Sequence, residues 1–450
     1  MWFACLEDTS HKIHQLISHE SRIVKAKTTR ILITGAHGQL GQALLANLPW
    51  LPEFSPSRLR MEIPEASLVP GSAVEPRSAK APGSAIEIVA LGHQQLDLTS
   101  ADLPERLSEI NADVIINCAA YNAVDAAEQD MAAAMALNAE APERLASWCR
   151  QQGAWLIHIS SDYVFGNVFG NVFGNDLGSV FGNVSGNAAA NMLGNAPRAL
   201  TESDVCEPLS LYGQSKLAGE QRLLKANPGA LVMRTSWLYS RFGSNFVLTM
   251  RRLLTERPEL KVVADQVGTP TWAEALARLI WQLLIWFHLN PEKSAVLSGC
   301  FHYAATGQCS WYLFTQEIAE QIAKQQCNSA PSSQAAPPLQ TASPSQTALQ
   351  SQAALHSQAA LHSPANPAPI TPGCRITPVS TVEYGALLNR AQAPRPAYSA
   401  LDSSALKDAM AAMPSAFRCY LPKDYPSPIW LSWQAQLTQM LSGLGASSLD

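Results

Sequence analysis

The sequence is poor in charge: Asp, Glu, Lys and Arg make up 15% of its 450 residues, against roughly 25% in an ordinary globular chain. What charge it has leans acidic, with 31 Lys and Arg facing 36 Asp and Glu for a formal net charge of −5. It therefore lacks the basic stripe that displaces counterions from phosphates, which argues against a general nucleic-acid binder. The nine cysteines (Cys5, Cys118, Cys149, Cys206, Cys300, Cys309, Cys327, Cys374 and Cys419) include no C-x-x-C pair and are odd in number. That pattern argues against a disulfide framework or zinc knuckle and fits a reducing cytosol. No apolar run is long enough to span a bilayer: the most apolar stretch, Leu279 to Leu289, is interrupted by Gln282 and ends beside His288. Residues 1–28 carry charges and histidines where a signal peptide needs an apolar core. A soluble, cytoplasmic protein is expected, with no nucleic-acid or membrane partner.

At about 150 residues per domain the length suggests three domains, but four segments do not read as core. Residues 1–28 form an extension without turn or cap logic, and residues 52–85 are rich in Pro, Ser, Ala and Glu. Residues 167–197 repeat VFGN, and residues 325–372 repeat SQAALH between prolines. Such compositions bury too little apolar surface to offset ordering entropy, so all are read as insertions or extensions. The remainder divides into a nucleotide-binding domain over 29–236 and a smaller lobe over 237–445.

Between the insertions, strand and helix patterns alternate. Apolar, β-branched runs at Ile31 to Thr34, Ile86 to Leu91, Val114 to Cys118, Trp155 to Ser160 and Leu231 to Arg234 mostly lack polar alternation. That is the mark of strands buried on both faces. Helical periodicity covers Gly41 to Leu48, Leu103 to Ile110, Met131 to Gln151 and Leu211 to Leu224, with further helices at Phe246 to Thr255, Ala273 to Trp286 and Trp311 to Lys324. The fold class expected is α/β: a Rossmann-type, doubly wound parallel sheet with a smaller C-terminal α/β lobe.

Three motifs carry chemistry. Gly35, Gly38 and Gly41 follow the first strand at intervals of three and open a helix with Gln39 and Leu40, where backbone N–H groups can meet a pyrophosphate. The strand ending Leu91-Gly92-His93 has no carboxylate to hold a ribose 2′-hydroxyl, so NADPH is favoured over NADH, which stays possible. Asp97 and Leu98 lie near enough in sequence to reach an adenine edge, although Asp97 before Thr99 also reads as a simple cap. Tyr212 and Lys216 stand at i and i+4 on one helical face, and a cation one turn away is a means of lowering a phenol's pKa. Ser161 and Asp162 sit at the carboxyl end of a strand, where doubly wound sheets bind ligands, and can meet a carbonyl and a sugar hydroxyl.

These motifs, with the run Asn117 to Glu128, Arg234-Thr235-Ser236-Trp237-Leu238-Tyr239, Asp265 to Thr271, Phe301-His302-Tyr303, Ser310-Trp311-Tyr312 and Arg395-Pro396 before Ser399 to Asp402, resemble the extended short-chain dehydrogenase/reductases. The resemblance is specifically to the dTDP-4-dehydrorhamnose reductase family, and it runs from about Thr29 to Leu441. It implies hydride transfer from NAD(P)H to C4 of a dTDP-4-keto-6-deoxyhexose, giving dTDP-L-rhamnose for surface polysaccharide. On the matching positions, Tyr212 is the proton donor, Lys216 lowers its pKa and holds the nicotinamide ribose, and Ser161 completes the hydroxyl relay. Gly35, Gly38, Gln39, Leu40 and Gly41 cradle the pyrophosphate; Asp97 and Leu98 flank adenine; Ala119, Ala120, Tyr121 and Asn122 line the cofactor cleft. Asp162 and Trp237 contact the nucleotide-sugar substrate, with core packing the plainer reading of Trp237.

The sequence departs from the family in three places: Ser161 and Asn122 stand where Thr is usual, and Ala43 where some members carry a magnesium-binding glutamate. No metal is expected, and a monomer or metal-free homodimer. The same fold resembles the regulatory β subunit of methionine adenosyltransferase, a non-catalytic alternative, and other sugar-nucleotide reductases or epimerases. The intact Ser161, Tyr212 and Lys216 set speaks against the first, the Asp265 to Thr271 and Arg395-Pro396 motifs against the second.

Overall fold

The computed structural model describes residues 29–48, 59–62, 86–166, 198–289, 297–329, 374–388, 391–412 and 430–446. The extension 1–28, the VFGN repeat and most of the other two insertions lie outside the described residues.

Seven strands build the central sheet: β1 (Thr29–Thr34), β2 (Leu59–Glu62), β3 (Ile86–Leu91), β4 (Val114–Asn117), β5 (Trp155–Ser161), β6 (Leu231–Thr235) and β11 (Gly299–His302). Their order is β11-β6-β5-β4-β1-β3-β2, and every neighbouring pair is parallel. The unbroken apolar runs follow from this geometry. Ile31 and Ile33 of β1 enter the core on one face of the sheet, while Leu32 enters the core on the other.

Helices cover both faces. They are α1 (Gln39–Ala46), α2 (Leu103–Ile110), α3 (Val124–Ala127), α4 (Met131–Met135), α5 (Ala141–Gln152) and α6 (Leu211–Ala226). The second lobe adds α7 (Phe246–Glu256), α8 (Ala273–Leu289), α9 (Trp311–Ser329), α10 (Thr381–Leu388), α11 (Ser404–Ala411) and α12 (Trp433–Ala446). Its strands form three short pairs: β7 (Leu238–Tyr239) with β10 (Thr271–Trp272), β8 (Glu259–Val263) with β13 (Arg375–Val379), and β9 (Val267–Gly268) with β12 (Cys309–Ser310). The two lobes share one core, because α8 lies against α1: the Trp281 indole donates to the Leu44 carbonyl at 3.0 Å, and Arg278 to Asn47 at 2.9 Å.

Three sequence expectations need correction. Leu59–Glu62 lies inside the segment read as an insertion, yet pairs in parallel with β3 as the sheet's edge. Helix α9 runs to Ser329, past the start of the last insertion. The single helix expected over Met131 to Gln151 is divided by a π-helical turn over Ala136–Glu140. Pro142 supplies the reason: it has no N–H to give the carbonyl of Asn138, so the regular helical ladder cannot run through that turn.

Candidate active site

The turn after β1 is built for close approach. Gly35 has φ +64°, and a side chain there would put its Cβ 2.6 Å from the Ala119 nitrogen; one at Gly41 would meet the Gly35 carbonyl at 2.5 Å. The turn therefore lies tight against Cys118 and Ala119, just past β4, and α1 starts tight against the turn, while its N-cap, Gly38, provides no side chain to satisfy the first N–H groups. Such an uncapped start suits an anionic pyrophosphate, so the residues fit a dinucleotide. Of the other turn residues, Leu40 buries its side chain in the core and offers only backbone.

The cleft floor is a polar ladder across three strands. Asn117 Oδ1 accepts from Thr34 Oγ1 at 2.7 Å and from the Ala119 N–H at 3.2 Å, which leaves its amide nitrogen facing His158 Nδ1 at 2.9 Å. His158 must then carry its proton on Nε2, which is buried without a partner. Burial, reinforced by Lys216, holds this imidazole well below its ordinary pKa and hence neutral.

Beyond the ladder, Ala119 to Asn122 lead away from β4. Asn138, in the π-helical turn, brackets Tyr121 from both sides, accepting from its N–H at 2.8 Å and donating to its carbonyl at 3.1 Å. The same amide donates to Ser215 Oγ at 2.9 Å, and Ser215 donates to the Tyr212 carbonyl at 2.7 Å. Asn138 thus joins the loop after β4 to the helix carrying Tyr212. Sequence reasoning missed it, although Pro142 four residues on was a readable signal of a free carbonyl.

Tyr212 is buried on α6, whose N-cap Ser210 accepts from the Gly213 N–H and whose first N–H, at Leu211, donates to Glu128 at 2.7 Å. Its phenol meets Ser161, and its ring packs edge-on against Tyr163 with centroids 5.3 Å apart. Ser161 Oγ donates to Asp162 Oδ1 at 3.0 Å and accepts from the Tyr163 N–H at 3.2 Å. Asp162 is itself buried, and its Oδ2 has no hydrogen-bond partner. Burial pushes this carboxyl up to about 6 against the opposing hydroxyls of Ser399 and Ser161.

Lys216 is fully buried one turn along α6, and its Nζ donates to the Ile159 carbonyl at 2.8 Å. Burial brings its pKa down to about 8, while Glu220 works in the other direction. The lowering of Tyr212 expected from Lys216 is not present in this arrangement. Burial dominates and holds the phenol above its ordinary value, with only the Ser161 hydroxyl opposing.

The remaining expected residues are spread more widely. Asp97 Oδ1 accepts from the N–H and hydroxyl of Thr99 at 2.9 and 2.7 Å, closing a turn and not capping a helix, since the N-cap of α2 is Asp102; those bonds lower its pKa. Leu98 buries its side chain in the core. Asn122 is exposed. Trp237 takes φ +44° and stacks on Trp311 with ring centroids 3.5 Å apart and planes 5° from parallel. A cavity of about 200 Å³ lined in part by Thr269, Gln308, Asp402 and Lys407 contains none of the expected site residues. Among the described residues no group of three His, Cys, Asp or Glu side chains is gathered for a metal, and no helix is long and apolar enough to cross a membrane.

Comparison with known proteins shows what this arrangement belongs to. The family model for the RmlD substrate binding domain matches residues 76–366. The chain belongs to that family. Among RmlD relatives, the dTDP-4-dehydrorhamnose reductase of Burkholderia thailandensis is 32% identical over 290 residues, covering 64% of this chain and 77% of the relative. That of Sinorhizobium fredii is 35% identical over 234 residues, 52% of this chain and 69% of the relative. The crystal structure of the Bacillus anthracis dTDP-4-dehydrorhamnose reductase in complex with NADP aligns with a TM-score of 0.57 at 26% identity, covering 92% of this chain and 99% of that one.

Proposed function

We propose that this RmlD-family chain reduces dTDP-4-dehydro-L-rhamnose to dTDP-L-rhamnose in the cytosol, using NADPH with NADH as a possible substitute. The observation that carries the reading is the buried contact between Tyr212 and Ser161 at the carboxyl end of β5, with the glycine turn at the carboxyl end of β1 in the same parallel sheet. The named relatives and the NADP-bound neighbour support a reductase over a regulatory subunit.

The cradle of Gly35, Gly38, Gln39, Leu40 and Gly41, with Ala119 to Asn122 and the Asp97-Leu98 turn, would hold the dinucleotide, which when bound supplies the hydride. The chain's own work is to hold the carbonyl and deliver one proton. Burial keeps Tyr212 in its phenol form at neutral pH, the form a proton donor needs. As negative charge grows on the substrate oxygen, Tyr212 releases that proton to it, and Lys216, one turn along α6, would hold the nicotinamide ribose. Ser161 gives its proton to Asp162 at 3.0 Å; turned toward a bound substrate, the same hydroxyl would donate to the carbonyl oxygen beside Tyr212. Trp237 would line the sugar-nucleotide side. The test is NADPH oxidation with dTDP-4-dehydro-L-rhamnose: Tyr212→Phe should lower kcat by about 10²-fold or more, and turnover undiminished by that change would refute the assignment.

A further inference from the structure

One stretch of the second lobe, residues 393–400, reaches back into the catalytic strand end. Arg395 Nη2 meets Asp125 Oδ1 at 2.9 Å, and the same oxygen accepts from the Ala393 N–H at 3.1 Å. Arg395 Nη1 donates to the Ala393 carbonyl at 2.8 Å, so the guanidinium is fixed from two sides, with Arg395 and Asp125 only 16% and 15% exposed. A third contact runs to the phenol of Tyr163, whose ring edge rests on Tyr212. The stretch is itself anchored in the second lobe: the Val267 N–H donates to the Ala397 carbonyl at 2.9 Å, the Val267 carbonyl accepts from the Ser399 N–H at 2.8 Å, and the Ser399 hydroxyl faces Asp162.

We infer that Arg395 is a positioning residue for the proton donor, holding Tyr212 in place through Tyr163 and tying that placement to Asp125 beside the cofactor loop. This rests on the reading of Tyr212 as donor. An ion pair with Asp125 alone would staple the lobes; the contact with Tyr163 carries the effect to the reacting group. Three acceptors in different directions also demand the planar fork of arginine, which the point charge of lysine does not reproduce.

The experiment compares Arg395→Gln, Arg395→Lys, Tyr163→Phe and the Arg395→Gln/Tyr163→Phe double variant, with Tyr212→Phe as reference, measuring kcat, KM and NADPH binding by fluorescence. Small displacements of a reacting group cost up to about 10²-fold, so Arg395→Gln should lower kcat about 10- to 100-fold and leave the NADPH Kd within about twofold. Tyr163→Phe, which removes a single oxygen and is expected to fold, should lower kcat in the same direction. The double variant should be no slower than Arg395→Gln, because both changes break one path. Arg395→Lys should recover only part of the loss. Unchanged kcat in Arg395→Gln or Tyr163→Phe, a loss confined to KM, or losses that multiply in the double variant would overturn the inference while leaving Tyr212 as donor. Full turnover by Tyr212→Phe would overturn both.

Discussion

Glu220 and Arg234 offer a test of how α6, the helix of Tyr212 and Lys216, is held. The carboxylate of Glu220, one turn beyond Lys216 on α6, takes three hydrogen bonds from Arg234 on β6, at 2.7, 3.0 and 3.2 Å. The two side chains are only 4% and 6% exposed. Burial alone would weaken the guanidinium charge, and Glu220 more than offsets it, holding Arg234 above its ordinary pKa. His302, 3.3 Å away, cannot replace the lost anion, since burial and Arg234 bring its pKa down to about 4 and leave it neutral. Glu220→Gln preserves shape but strands a buried cation, which costs about 3–5 kcal/mol. At roughly 2–4 °C per kcal/mol the drop in Tm should be on the order of 10 °C, read by calorimetry or urea unfolding. Replacing both residues, Glu220→Leu with Arg234→Met, should regain most of it, because an apolar pair costs no desolvation of charge. Because Glu220 also supports the charge on Lys216, the single variant should move the alkaline limb of kcat/KM below about 8. A loss under about 1 kcal/mol, or a double variant no more stable than the single one, would show that the pair does not behave as a desolvated one.

Two further outcomes follow from buried titrating groups. Lys216 should lose its proton, and the enzyme its kcat/KM, as pH rises through about 8; Lys216→Arg stays charged and should abolish that limb even if slower, so a limb unmoved in the arginine variant would remove Lys216 as its source. Asp162 titrates near 6 in the folded chain against about 3.9 unfolded, so the folded state binds the extra proton between those values and stability falls as pH rises from about 4 through 6. The two-unit gap corresponds to roughly 3 kcal/mol, and Asp162→Asn should be the more stable protein at pH 7 by up to that amount. Identical stability profiles for both proteins from pH 4 to 7 would contradict the assignment.

What could be read from the sequence was local. Strands β1, β3, β4, β5 and β6 announce themselves because burial on both faces leaves no polar alternation, and Tyr212 with Lys216 because one helical turn brings them together. Edge strand β2 does not, since Leu-Arg-Met-Glu carries two charges and becomes a strand only by pairing with β3. The positive φ of Trp237 is invisible for the same reason: nothing in its neighbours demands it, and the stack on Trp311 holds it there. Asp125 and Arg395 each lie within a family-like motif, yet their pairing across 270 residues is a property of the folded chain alone.

That separation bears on how the protein is made. The glycine turn, the β5 strand end and α6 all leave the ribosome before residue 230, whereas the contact that closes over them waits for residue 395. Contacts so distant in sequence form late and slowly, because a long loop must close before they reward it. A nascent chain can therefore form its glycine turn well before the Arg395–Asp125 contact closes. A chain cut anywhere ahead of Arg395 should keep the glycine turn, Ser161, Tyr212 and Lys216 and lack the contact that ties the second lobe to Asp125.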